Sequence, residues 1–302
     1  MAHKHAHEQH HNHAINANSL NRAFIAGIVL NLIFVFVEFG AGFWFDSLAL
    51  LSDAGHNLSD VVSLVLALLA FRLAKVRANE RFTYGYKKST ILVSLLNAVI
   101  LLVAIGGILW ESINKLQYPE EVSGASIAWI AGIGVVINGF TAFLFMKDKE
   151  KDLNVKGAYL HMAADALVSI GVLVAGVVIS YTGWYIIDPI IGIAIAIVIL
   201  ISTWNLLRDS IRLSLDGVPA TINHDKVLNV LTEIEGVKSV HHLHIWAIST
   251  TEIALTAHVV IDDVSKMEEL KHYIRHELEH CDIGHVTLEF EYEGEECEIR
   301  CL

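Results

Sequence analysis

His56 and Asp60 stand four residues apart, as do His161 and Asp165, and each pair lies inside a long apolar segment. Positions i and i+4 share one face of a helix, so each pair aims an imidazole and a carboxylate in the same direction. Two such helices set face to face supply two nitrogens and two oxygens around one point. That donor set suits a tetrahedral Zn2+ site. The plainer alternative is that each histidine bonds its own aspartate, or a neighbouring helix, as structural glue. The same spacing in two separate apolar segments weighs against this, because an ionisable group inside a bilayer is costly and marks function. Glu38, inside the first segment, is a further candidate, either a proton carrier or a partner that supports the metal ligands, with a hydrogen bond to a Ser or Asn of a neighbouring segment as the plainer alternative. Asp53, one turn before His56, is a candidate exit-path carboxylate, whereas Asp46 and Asp188 read as solvated or capping groups at helix ends.

The elements that must carry these groups are membrane spans. Of the 302 residues, 54% are apolar and 18% charged, and the mean hydropathy is +0.51. Six segments are long enough to cross a hydrocarbon core: Leu20–Phe45, Ser47–Phe71, Lys88–Ile113, Gly124–Met146, Val155–Tyr181 and Tyr185–Leu207. The second and fifth hold the His–Asp pairs, and Gly192, Ala194 and Ala196 in the sixth allow close helix approach. Arg72, Lys75, Arg77, Arg81, Lys87 and Lys88 follow segment two, Lys147, Lys149, Lys151 and Lys156 follow segment four, and Arg208 and Arg212 follow segment six. The turns after segments one and five carry no Lys or Arg. The positive-inside rule therefore predicts that both termini are cytoplasmic.

The chain divides into a His-rich head (1–18), a six-span domain (19–212) and a polar C-terminal domain (213–302). The head holds His3, His5, His7, His10, His11 and His13 among polar residues; it lacks the apolar content for a core and reads as a disordered, metal-gathering tail. No cleavable signal peptide is visible in it. The net charge of −12 reflects acidic residues near the C-terminus, and no basic patch suggests a nucleic-acid partner. Cys281, Cys297 and Cys301 do not form a secreted disulfide framework. Cys297 and Cys301 can bind a soft metal, but a solvated tail is the simpler reading. In the C-terminal domain a helix over Asn223–Ile234, strands over Ser239–Ile248 and Glu252–Ile261, a helix over Ser265–Cys281 and a strand over His285–Tyr292 are predicted. The order αββαβ suits a small ferredoxin-like α+β domain with helices on one sheet face. Alternation predicts Ile253, Leu255, Ala257, Val259, Ile261, Val286, Leu288, Phe290 and Tyr292 packed, with His258, His285, Thr287, Glu289 and Glu291 facing away.

With these pairs, six spans and an α/β tail, the chain resembles the cation diffusion facilitator family, closest to its bacterial zinc–cadmium efflux branch. Local wording carries the likeness: Ser47-Leu48-Ala49-Leu50-Leu51-Ser52-Asp53-Ala54-Gly55-His56, Arg81-Phe82-Thr83-Tyr84-Gly85 and Val240-His241-His242-Leu243-His244-Ile245-Trp246. The resemblance implies a homodimer in the bacterial inner membrane that exchanges divalent metal for protons, with His56, Asp60, His161 and Asp165 as transport ligands. It also implies a metal-sensing cytoplasmic domain whose Zn2+ ligands fall at His241, His258 and Glu289, with His242, His244, His285 and Glu291 as neighbours able to substitute. An intramembrane metallohydrolase is disfavoured, since none of the six apolar segments holds a His-Glu-x-x-His pattern. A metal-gated channel or metal-sensing receptor remains the alternative to an antiporter.

Overall fold

The computed structural model describes residues 17–44, 48–117, 124–184 and 186–292. The His-rich head, Asp46, Cys297 and Cys301 lie outside the described residues, as do the side chains of Asp53, His56 and Asp188. Six long helices come first: α1 (Ala17–Trp44), α2 (Leu48–Ala74), α3 (Ser89–Gln117), α4 (Gly124–Met146), α5 (Leu153–Thr182) and α6 (Ile187–Ser214). Among the described residues, α1, α3, α5 and α6 each hold a stretch long and apolar enough to cross a bilayer, and α4 adds the apolar stretch Ala131–Met146. Large side chains such as Phe36, Val103, Val136 and Ile201 are exposed around the bundle, where lipid rather than water is their favourable solvent. Trp110, Trp129, Tyr181 and Trp184 are exposed at the bundle end remote from the C-terminal domain, where an aromatic belt meets the headgroups.

Packing divides the bundle into two groups. Phe24 of α1, Leu64 and Leu68 of α2, Phe145 of α4 and Val155 and Met162 of α5 form one buried core. The α3–α6 pair packs through Ile105, Ala196 and Ile199, with Ala164 of α5 joining it to the rest. Gly192 permits this approach: a Cβ there would collide with Ser112 Oγ. Ser94 and Ser210 hydroxyls then bond across the pair at 3.0 Å. Polar groups also link the first group, since Asn31 Nδ2 donates to Gly27 O at 2.9 Å and to Thr141 Oγ1 at 3.3 Å.

The predicted sixth segment ends at Leu207, yet α6 continues to Ser214. Arg208 and Arg212 end the apolar run without ending the helix, because Leu213 packs on Ile91 of α3 and Ala247 of the C-terminal domain. The helix stops where Asp216 adopts φ +56° and Gly217 N–H bonds Arg212 O at 2.8 Å.

The C-terminal domain follows as α7 (His224–Thr232), β1 (Val237–Ala247), β2 (Ile253–Ile261), a 3-10 turn, α8 (Met267–Glu279) and β3 (His285–Tyr292). β1 and β2 pair antiparallel, and β2 and β3 pair parallel through the α8 crossover. Leu255, Ala257, Val259 and Ile261 meet Val227 and Leu231 of α7 and Leu270, Ile274 and Leu278 of α8 in one core. Tyr292, predicted to pack, is 47% exposed. Glu291, predicted to face away from the helices, is only 8% exposed because histidines cover it on that face.

The β1–β2 turn of this domain fits against the helix ends. Thr250 N–H donates to Thr90 Oγ1 at 3.1 Å, Lys87 Nζ meets Glu252 Oε2 at 2.5 Å, and Lys88 pairs with Asp216. The Thr250 hydroxyl bonds Asp152 Oδ2, while Asp152 Oδ1 caps α5 by accepting from Asn154 N at 2.7 Å and Val155 N at 3.1 Å. Burial pushes the Asp152 carboxyl above its ordinary 3.8, against the opposing pull of those hydrogen bonds. The folded state thus binds more protons than the unfolded chain just above that value, and this group's contribution to stability falls as pH rises through the window. Asp152→Ala is expected to lower stability by about 1–2 kcal/mol through loss of the cap. Asp152→Asn keeps an acceptor and should remove the pH slope; thermal melts of the purified variants across pH 4 to 8 check both.

Candidate metal centre in the membrane and histidine cluster in the cytoplasmic domain

α2 and α5 meet where the sequence places its two pairs. His161 Nε2 lies 2.5 Å from Asp60 Oδ1, and both side chains are almost fully enclosed (5% and 1% exposed). Asp165, one turn further along α5, brings Oδ2 to 3.7 Å from the same nitrogen. Donor atoms of Asp60, His161 and Asp165 all lie within 4.8 Å of one another. Asp60 Oδ2 is buried and takes no hydrogen bond among the described residues. His56 sits on α2 one turn before Asp60, and helical geometry places it on the same face.

The 2.5 Å contact has a chemical consequence. A carboxylate oxygen and an unprotonated ring nitrogen are both acceptors, so a hydrogen bond between them needs a proton. With the proton on the ring, Nε2–H donates to Asp60 Oδ1. The nitrogen lone pair that a cation would use is then occupied, so proton and metal compete for one position. A small cavity lined by Ser63, Leu64, Asn97, Gly157, Ala158 and His161 lies on the side of this group that faces the basic loops, with room for about one water.

Beside His56, Asn57 Nδ2 donates to Glu38 Oε2 at 2.6 Å, and both residues are buried. Glu38 thus makes the hydrogen bond to an Asn of a neighbouring segment.

A second cluster lies on the helix-free face of the C-terminal sheet. His241, His258 and Glu289 form one transverse row by strand register. Side-chain geometry differs from that row: the atoms within 4.8 Å of one another belong to His241, His258 and Glu291. His258 Nδ1 bonds Glu291 Oε1 at 2.5 Å, and His241 Nε2 lies 3.1 Å from Glu291 Oε2. Glu289 reaches His258 Nε2 only at 3.4 Å, with its side chain 69% exposed. Diagonal neighbours on one sheet face are within reach of long side chains, so Glu291 meets both imidazoles although register aligns His258 with Glu289.

A β-bulge shapes this cluster. The β1–β2 register shifts between His241 and His244, and His242 adopts φ +49°. A non-glycine residue in that region is held against a backbone preference of about 1–3 kcal/mol. The bulge interrupts alternation, so His242 lies 4.8 Å, ring to ring, from His258 while His241 is 5.2 Å away. His285 instead meets Tyr84 of the α2–α3 connection, with ring centroids 5.4 Å apart.

Comparison with known proteins agrees with both halves of this architecture. Residues 24–213 match the cation efflux transmembrane domain, and residues 219–293 match the cation efflux protein cytoplasmic domain. A cadmium, cobalt and zinc/H(+)-K(+) antiporter of Bacillus subtilis is 38% identical over 289 residues, covering 94% of this chain and 92% of the relative. Zinc transporter ZitB of Escherichia coli is 34% identical over 309 residues, covering 99% and 96%. The metal cation efflux system protein CzcD of Cupriavidus metallidurans is 35% identical over 275 residues, covering 89% and 86%. With its helical transmembrane domain and αββαβ cytoplasmic domain matched over nearly their full lengths, this chain is a multi-pass membrane protein of the cation efflux family, a family of transporters rather than enzymes.

Proposed function

We propose that this chain exports Zn2+, and with it Cd2+ or Co2+, from the cytoplasm in exchange for protons, through a site made by His56, Asp60, His161 and Asp165. The observation that carries the reading is the convergence of donor atoms from Asp60, His161 and Asp165 within 4.8 Å of one another, buried between α2 and α5. A cation needs the carboxylates ionised and the imidazoles neutral, so loading it favours proton release, and protonation from the other side ejects it. An unperturbed histidine titrates close to neutral pH, so an imidazole ligand suits a proton carrier at cellular pH. Nitrogen and oxygen donors without a thiolate also favour release, which conduction needs. The names of the Bacillus and Escherichia relatives, an antiporter and a zinc transporter, support the same assignment.

The basic α2–α3 and α4–α5 connections and the C-terminal domain lie on one side of the bundle, and the positive-inside rule makes that side cytoplasmic. The small cavity beside His161 lies on the site's cytoplasmic flank. The chain assembles as a homodimer in a bacterial plasma membrane, as the matched cytoplasmic domain of its family supports.

His241, His258 and Glu291 fit a regulatory Zn2+: two imidazoles and a carboxylate already converge, and Glu291 is buried without a lysine or arginine partner among the described residues. Glu291→Gln is expected to weaken zinc binding there by at least about 10-fold, and Glu289→Gln by much less. Calorimetric titration in a His161→Ala background lacking residues 1–16 checks this. The reverse ranking would restore the row set by strand register.

Reconstituted vesicles with a pH dye inside test the transport reading. Zinc added outside should release internal protons in a saturable way, and an imposed proton gradient should drive zinc against its own gradient. Zinc flux that follows the metal potential alone and ignores the proton gradient would instead assign a metal-gated channel.

A further inference from the structure

α8 presents a second pattern that the transport site and the sheet cluster do not use. Leu270, Ile274 and Leu278 recur every four residues and are buried against the sheet. His272, His276 and His280 recur at the same interval, two residues on. Two residues rotate a helix position by about 200°, so the histidines occupy the face opposite the buried one. All three are exposed. The sheet lies between this face and the His241–His258–Glu291 cluster.

We propose that His276 and His280 form a surface site for a single divalent cation of the type that imidazole favours, such as Zn2+, Co2+, Ni2+ or Cu2+. Two histidines at i and i+4 project side by side, the spacing by which one helix supplies two nitrogens to a metal. Their rings already meet, with centroids 4.6 Å apart at an interplanar angle of 84°. Glu277 Oε1 lies 3.6 Å from His276 Nδ1, which places negative charge beside the pair. Both rings stand at the C-terminal end of α8, where His280 N–H bonds His276 O and the negative end of the helix dipole favours positive charge. Acidic neighbours outnumber basic ones along this stretch: Glu268, Glu269, Glu277, Glu279 and Asp282 against Lys271 and Arg275, with Lys271 held by Glu268 at 3.4 Å. Two protein ligands leave the remaining positions to water, which makes the site exchangeable rather than structural.

Carbethoxylation footprinting of the full-length protein, read residue by residue by mass spectrometry with and without Zn2+, tests the pair. His276 and His280 should lose reactivity together, each several-fold, as zinc is added. His276→Ala should return His280 to its metal-free reactivity while zinc still protects His258. Alanine on a solvated helix face raises helix propensity, so the variant retains the fold. Protection of His280 that survives His276→Ala, or no protection of either ring at zinc concentrations that protect His258, would overturn the proposal.

Discussion

His161→Ala abolishes zinc-driven proton movement in reconstituted vesicles, with initial rates expected to fall by more than about 100-fold. His161 is the centre of the proposed site: its Nε2 lies 2.5 Å from Asp60 and 3.7 Å from Asp165, so one substitution removes the nitrogen that meets both carboxylates. Asp60→Asn is the sharper companion. It keeps the shape and hydrogen-bonding capacity of the side chain while removing the charge that a divalent cation needs, and the same loss is expected. Two variants guard against a trivial reading through misfolding, because Asp60→Asn leaves Leu64, Met162 and the rest of the adjoining core intact. Vesicle zinc uptake and internal pH, with insertion checked by protease accessibility of the cytoplasmic domain, provide the measurement. Wild-type coupling in either variant would remove the α2–α5 contact from the mechanism.

The second large effect concerns selectivity. His56→Asp changes the proposed donor set from two imidazoles and two carboxylates to one imidazole and three carboxylates. Zinc gains from nitrogen donors in compact tetrahedral geometry, whereas a larger ion tolerates bidentate carboxylates and longer bonds. The Cd2+/Zn2+ ratio of initial rates should rise by about 10-fold, equivalent to about 1.4 kcal/mol of differential stabilisation. The pH profile should change as well, because an imidazole has been replaced by a carboxylate, a group of a different ordinary titration range. The check is paired rates for both ions in the wild type and variant over pH 6 to 8. An unchanged ratio and profile would show that His56 is not a ligand.

Much of this protein is legible along the chain, because the signals are local. Membrane spans follow from apolar length, and the backbone must satisfy its hydrogen bonds within each span, so the limits of α4 agree with the apolar segment residue for residue. The spacing of His161 and Asp165 also suffices to put them on one helix face. In the C-terminal domain, the limits of β3 and the inward row Leu255, Ala257, Val259 and Ile261 follow from turn residues and a period of two.

Contacts between distant segments were decided only by the tertiary structure. Nothing in the spacing states that His161 reaches Asp60 more closely than its own helix partner Asp165; that depends on how α2 and α5 pack. Helix α6 runs seven residues past its apolar stretch because Leu213 finds a partner in another domain, and hydropathy cannot register such burial. The clearest case is the contact of both imidazoles with Glu291. Strand alternation assigns both to one face, and register aligns His258 with Glu289. The bulge at His242 and the reach of each side chain along the sheet then bring Glu291 beneath the imidazoles. A bulge disrupts the two-residue period on which the sequence argument rests, and its position depends on cross-strand pairing that no single strand encodes.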